Sequence, residues 1–155
     1  MKTLIIDNHS KHLSEIVQIF PNSKVVSHEN LLPDQDLSLF NLLVISGGSG
    51  VPTVKHHENY YGVEEQLVRS SPIPVLGICL GAEIIVTAFS GELAEISTLH
   101  KGEMELQMQN ESLQKALHHN PCIVYEAHSV LIQKLPENFI VQAESKHGIE
   151  VFKHA

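Results

Sequence analysis

The residue best placed to do chemistry is a cysteine held between two glycines. Gly77-Ile78-Cys79-Leu80-Gly81 has the form G-x-C-x-G and joins an apolar run, residues 74–78, to a helix-like run, residues 82–89. That is the layout of the hydrolase nucleophile elbow, with sulfur in place of hydroxyl. A nucleophile at the tip of such a turn sits in a strained backbone, and the residues two before and two after must be small so that strand and helix can approach. Gly77 and Gly81 meet that requirement. The amino end of the following helix would turn N–H groups and a positive dipole end toward the sulfur, which predicts a lowered thiol pKa and more thiolate. The Leu80 N–H would then lie where an oxyanion develops. The bland alternative for Cys79 is a buried core cysteine; the glycines at both required positions argue against it. Cys122 follows Pro121, opens an apolar strand and reads as structural.

A second chemical feature is Ser46-Gly47-Gly48-Ser49-Gly50, directly after the apolar run 42–45. Glycine at 48 and 50 lets a ligand approach backbone closely. Taken alone, the segment reads equally well as a flexible turn. The 11 histidines suggest metal, but spacing does not support it: His56-His57 and His118-His119 are adjacent, so their side chains diverge on any regular element. Neither a metal nor a cofactor is expected.

The elements that must position these residues alternate. Residues 4–6 form a short apolar strand ending in a turn at Asp7-Asn8. Leu13, Ile16, Val17 and Phe20 then fall at i, i+3, i+4 and i+7, the stripe of a helix over 12–20. Further strands are expected at 24–26, 42–45 and 74–78, with helices at 63–68 and 82–89. Strand and helix in alternation predict βαβ units and a mostly parallel sheet covered on both faces. Ligands of such sheets collect beyond the carboxyl ends of the strands, where Asp7-Asn8, the 47–50 loop and Cys79 all fall. The second half changes character, with short strands at 103–108, 122–125, 140–143 and 149–152. Lys146-His147-Gly148 makes a hairpin-like connection between the last two.

Composition narrows the class. A chain of 155 residues with 43% hydrophobic content can bury one substantial core, and a single domain over 1–155 is expected. The net charge of -8 opposes nucleic-acid backbones and anionic lipid. Two cysteines make a poor disulfide framework, which suits a reducing cytoplasm. Asp7 and Asn8 come too early for a secretory apolar region, and no run approaches a membrane span. A cytoplasmic protein is the expectation.

Residues 74–81, Pro-Val-Leu-Gly-Ile-Cys-Leu-Gly, resemble the nucleophile motif of the class I, triad-type glutamine amidotransferases. Ile5-Ile6-Asp7-Asn8 is similar to the first strand of the anthranilate synthase and GMP synthase glutaminases. Ser46–Gly50 with Val51-Pro52 is similar to the family's oxyanion loop. Phe89-Ser90-Gly91-Glu92-Leu93 resembles the F-G-G-x-V segment, Tyr125–Val130 the H-S segment, and 149–154 the I-E-A-x-x-H segment. The likeness covers essentially the whole chain. It implies a flavodoxin-like three-layer α/β fold and a glutaminase: Cys79 attacks the side-chain amide of glutamine, passes through a thioester, and ammonia goes to a synthase partner. It further implies that Leu80 and Gly48 hold the oxyanion, and that Gly48, Ser49, Gly50, Glu83, Ser129 and Val130 line the glutamine.

The sequence also departs from that family. After Gly81 the family has His-Gln, whereas Ala82-Glu83 stand here. A carboxylate at 83 near the sulfur raises a thiol pKa; its bland reading is a first-turn glutamate favoured by the helix dipole. The family's catalytic His and Glu lie in G-x-Q-F-H-P-E, and the sequence given reaches Ala155 before any such segment, as though short of the last strand and helix. Three readings follow: a working glutaminase type, a pseudo-amidotransferase that binds ligand or partner without turnover, and another cysteine hydrolase in which His128 serves as base in a Cys79–His128 dyad.

Overall fold

The computed structural model describes residues 1–48, 53–54, 57–117 and 121–155. The chain divides into two compact units, Met1–Phe89 and Ser90–Ala155. In the first, β1 (Thr3–Asn8), β2 (Ser23–Ser27), β3 (Leu42–Gly48) and β4 (Val75–Gly77) form a sheet in the order β2-β1-β3-β4. Every neighbouring pair is parallel. This is the flavodoxin-like order, whose chain reversal opens a crevice at the carboxyl ends of β1 and β3.

Helices cover both faces, because both faces of a parallel sheet must be buried. Ile5 and Val44 point to one side and pack on α1 (Leu13–Ile19) through Ile16, with Leu13, Val17 and Phe20 around them. Ile45 points the other way, toward α3 (Leu80–Ala88), whose Gly81 rests against it. Ile84 and Val86 of α3 are fully buried. A longer helix, α2 (His57–Ser70), precedes β4. It runs well beyond the 63–68 that periodicity suggests, since Gly62 interrupts the sequence pattern but not the helix.

The strands expected in this unit all form, and β1 and β3 reach further at the edge where the site lies. β1 continues to Asn8 and β3 to Gly48, where the two residues stand opposite each other after an irregularity at Asp7. Sequence reading places 46–48 in a loop because Ser-Gly-Gly has turn chemistry. Glycine here instead permits close strands: a Cβ on Gly48 would lie 2.2 Å from the Asn8 carbonyl oxygen.

In the second unit, β5 (Glu92–Met108), β6 (Cys122–Lys134), β7 (Phe139–Ser145) and β8 (Gly148–His154) form an antiparallel sheet in the order β6-β5-β7-β8. β5 and β6 are far longer than the runs 103–108 and 122–125. Their extensions carry polar residues among the apolar ones, which hides a strand from a search for apolar runs. The β7–β8 hairpin closes at Lys146-His147, as expected. A short helix, α4 (Glu111–Leu117), is capped by the Asn110 side chain, which accepts from the N–H groups of Ser112 at 2.8 Å and Leu113 at 3.1 Å. Leu106, Cys122 and Ala143 form the buried core of this unit. No helix among the described residues is long and apolar enough to cross a membrane.

Candidate active site

Cys79 sits between β4 and α3 with φ 53° and ψ -112°. For a residue with a Cβ, positive φ costs about 1–3 kcal/mol and persists only where surrounding structure enforces it. The enforcement is visible. A Cβ on Gly77 would stand 2.5 Å from the Gly81 carbonyl, and one on Gly81 would stand 2.2 Å from the Ile45 carbonyl oxygen. Strand and helix therefore touch through bare backbone, and the chain between them is pinched into a tight turn. Ala82 and Glu83 donate their N–H groups to the Cys79 carbonyl at 2.8 and 3.1 Å, starting α3 immediately behind the sulfur.

The end of β3 lies alongside. A Cβ on Gly47 would be 3.4 Å from the Cys79 Cβ, and one on Gly48 would be 2.9 Å from Leu80 Cδ2. The structure thus brings together Cys79, Leu80, Gly48 and, on the first turn of α3, Glu83. Ser49 and Gly50 lie outside the described residues, as do His56, His118 and His119.

Solvent reaches the Cys79 thiol, yet the packing around it pushes its pKa above the ordinary value. The Glu83 carboxylate adds to the rise, and the Leu80 N–H, donating toward the sulfur, opposes it. This corrects the lowering expected from the helix amino terminus: the N–H acts in the expected sense, but the low-dielectric wall and the carboxylate outweigh it. Glu83 is held by the hydroxyl of buried Thr53, which donates to its Oε2. It is therefore more than a glutamate lying free on a first turn.

Behind β1 and β3 runs a buried polar network that sequence reading missed. Asn8 N–H donates to Ser46 Oγ at 2.9 Å, and Ser46 Oγ–H donates to the Gly47 carbonyl at 2.9 Å. The Asn8 side-chain amide donates to Glu64 Oε2 at 3.1 Å. Glu64 is 2% exposed, and burial raises its pKa to about 7 against the opposing Asn8 hydrogen bond, with Glu65 adding to the rise. The signal was present in α2: Tyr61, Glu64, Glu65 and Val68 share one helical face, so two glutamates occupy core positions. Near the same edge, His9, His28 and Glu29 cluster closely enough to hold an ion.

The remaining site candidates belong to β6, within the second unit. Ser129 is exposed and Val130 half-buried. His128 is engaged at both ring nitrogens: Nδ1 lies 2.9 Å from the Val130 carbonyl, and Nε2 lies 3.4 Å from Glu126 Oε2. Across the ladder its partner is His100, the rings edge to face at 5.8 Å. His147, in the β7–β8 turn, stacks on His100 with centroids 3.6 Å apart. His154 packs its ring on Phe139.

A family model, glutamine amidotransferase class-I, matches residues 3–154. The anthranilate synthase component 2 of Haemophilus influenzae is 28% identical over 165 residues, spanning 97% of this chain and 80% of that protein. A glutamine-hydrolyzing GMP synthase subunit of Methanosphaera stadtmanae is 29% identical over 164 residues, spanning 99% of this chain and 82% of that protein. Among solved structures, a glutamine amidotransferase from Thermotoga maritima superposes with a TM-score of 0.79 over 99% of this chain and 71% of that one. At 16% identity this last likeness speaks for the fold.

Proposed function

The chain belongs to the glutamine amidotransferase class-I family, and from that premise we propose that it is a glutaminase domain that delivers ammonia to a synthase partner through a thioester on Cys79. The observation that carries this is the elbow: an exposed cysteine at φ 53°, with the Leu80 N–H on its sulfur and the Gly47-Gly48 backbone against its base. Both units are read as one functional domain, since the family match spans them.

In the proposed reaction the Cys79 sulfur forms a bond to the carboxamide carbon of glutamine, and the carbonyl electron pair moves to oxygen. Leu80 N–H and the Gly48 backbone hold that oxyanion. When the pair returns, the C–N bond breaks and the nitrogen leaves as ammonia, carrying the proton that the thiol gave up when its sulfur bonded to carbon. Water then cleaves the thioester, giving glutamate and the free thiol. Glu83, fixed by Thr53, contacts the substrate from the first turn of α3. A reducing cytoplasm suits the free thiol that the cycle needs.

One observation favours a second reading, binding without turnover. The raised thiol pKa leaves less thiolate at neutral pH, with Glu83 contributing where the resembling proteins carry glutamine. The dyad reading has less support, because both ring nitrogens of His128 already face partners within its own unit.

An ammonia assay separates the three. A positioned acid that protonates the leaving nitrogen is worth roughly 10² to 10⁴ in rate, so release is compared between residues 1–155 alone and the same residues followed by a family-like tail with His-Pro-Glu. Release should be the faster of the two with the tail, and Cys79→Ser should abolish it. An extended chain that binds glutamine yet releases nothing would establish the pseudo-enzyme instead. Robust turnover by the 155-residue chain, lost in His128→Ala, would install the dyad.

A further inference from the structure

We propose that Glu126, His128 and Glu150 form a binding site for a divalent transition-metal ion, with zinc the ion of choice. One oxygen or nitrogen from each residue lies within 4.8 Å of the others. The chain brings them together by two routes. Glu126 and His128 are two apart on β6 and so share a face, whereas Glu150 comes from β8.

The donor state of His128 follows from its partner. A carbonyl oxygen can only accept, so the contact with Val130 at 2.9 Å puts the hydrogen on Nδ1. In the neutral ring Nε2 then carries a lone pair, and it points toward Glu126 Oε2 at 3.4 Å. A ring fixed through Nδ1 to a backbone carbonyl, with Nε2 presented to an ion, is the usual arrangement of metal-ligating histidine. Glu150 is oriented in the same manner, its Oε1 accepting from Ser145 Oγ–H at 2.7 Å.

The second, independent observation is an orphaned oxygen. Glu126 is 8% exposed, and its Oε1 has no hydrogen-bond partner among the described residues. Two carboxylates and an imine nitrogen converging in a half-closed place are acceptors facing acceptors, an arrangement that a cation bound between them relieves. Nitrogen and carboxylate oxygen are ligands zinc accepts, and three protein donors leave a coordination position open. His100, edge-on to His128 with its Nδ1 buried and unpartnered among the described residues, stands next to the site. The His9–His28–Glu29 cluster is a weaker candidate. His9 and Glu29 are exposed to solvent, which weakens any hold on an ion.

The test uses the whole chain, stripped by chelator and titrated with zinc chloride by calorimetry. One zinc per chain is expected. Glu126→Gln and His128→Ala should each weaken binding about 100-fold or more, while His28→Ala and Cys79→Ser leave it within a few-fold. Circular dichroism checks folding, and Glu150→Gln serves if Glu126→Gln does not fold. Absence of zinc binding in the unaltered chain would overturn the proposal. Loss of binding in His28→Ala or Cys79→Ser, with Glu126→Gln unaffected, would overturn it equally.

Discussion

The two units place polar groups in opposite ways. In Met1–Phe89 the chemistry is local in sequence: Gly77 to Gly81 carries the proposed nucleophile, the glycines that pinch it and the first helical N–H. In Ser90–Ala155 it is assembled by pairing. His100 meets His128 across the β5–β6 ladder, and Glu150 arrives from β8. A parallel sheet delivers its loops to one edge, so a short motif there is already a site. An antiparallel sheet brings distant residues side by side through register, so its sites leave no compact signature in the chain.

The largest effect expected from this contrast is steric. Gly81→Ala would drive a Cβ to 2.2 Å from the Ile45 carbonyl oxygen, which is backbone and cannot swing aside. It should cost about 3 kcal/mol or more, measured by urea unfolding. A loss well below 1 kcal/mol would mean that β4 and α3 do not need that close approach.

A comparable effect should appear with pH. Glu64 has a folded pKa of about 7 against an ordinary 4.5, so the folded unit holds an extra proton between those values. Its contribution to stability is complete below about 4.5 and is lost as pH rises through 7. The swing is about 3 kcal/mol at most. Glu64→Gln, which keeps an acceptor for Asn8, should flatten that slope in urea midpoints taken from pH 5 to 8. An unchanged slope would place the titration elsewhere.

These effects also mark what was readable beforehand. The elbow, the alternation of the first unit and the β7–β8 turn were legible because each is a local pattern with one physical solution. Cys122 was correctly read as structural, its Pro121 and apolar run marking the core strand in which it is buried. The lengths of β5 and β6 were not legible, because polar residues interrupt their apolar pattern. Glu64 is hidden from a search for apolar residues along α2, although a glutamate at a core position is itself a signal. The part of the raised thiol pKa due to Glu83 is legible in the sequence, but the larger part is not: the wall that desolvates sulfur is made by the fold.

A smaller effect concerns Glu83. Replacing it with Gln removes a charge that raises the Cys79 pKa and leaves an acceptor for the Thr53 hydroxyl. Glu83→Gln should therefore speed alkylation of Cys79 a few-fold near neutral pH and tighten glutamine binding in calorimetry. Rates and affinity that do not move would reduce Glu83 to a helix-start residue.

If Cys79 is a nucleophile shaped for a glutamine side chain, a diazo-ketone analogue of glutamine should find it. The reagent's electrophilic carbon would sit where the carboxamide carbon sits, so peptide mass mapping over time should show Cys79 modified first. Cys122, buried in the second unit's core, should stay unmodified, and excess glutamine should slow the reaction at Cys79. Labelling that favours Cys122, or labelling of Cys79 that glutamine does not slow, would mean that Cys79 is no glutamine-directed nucleophile.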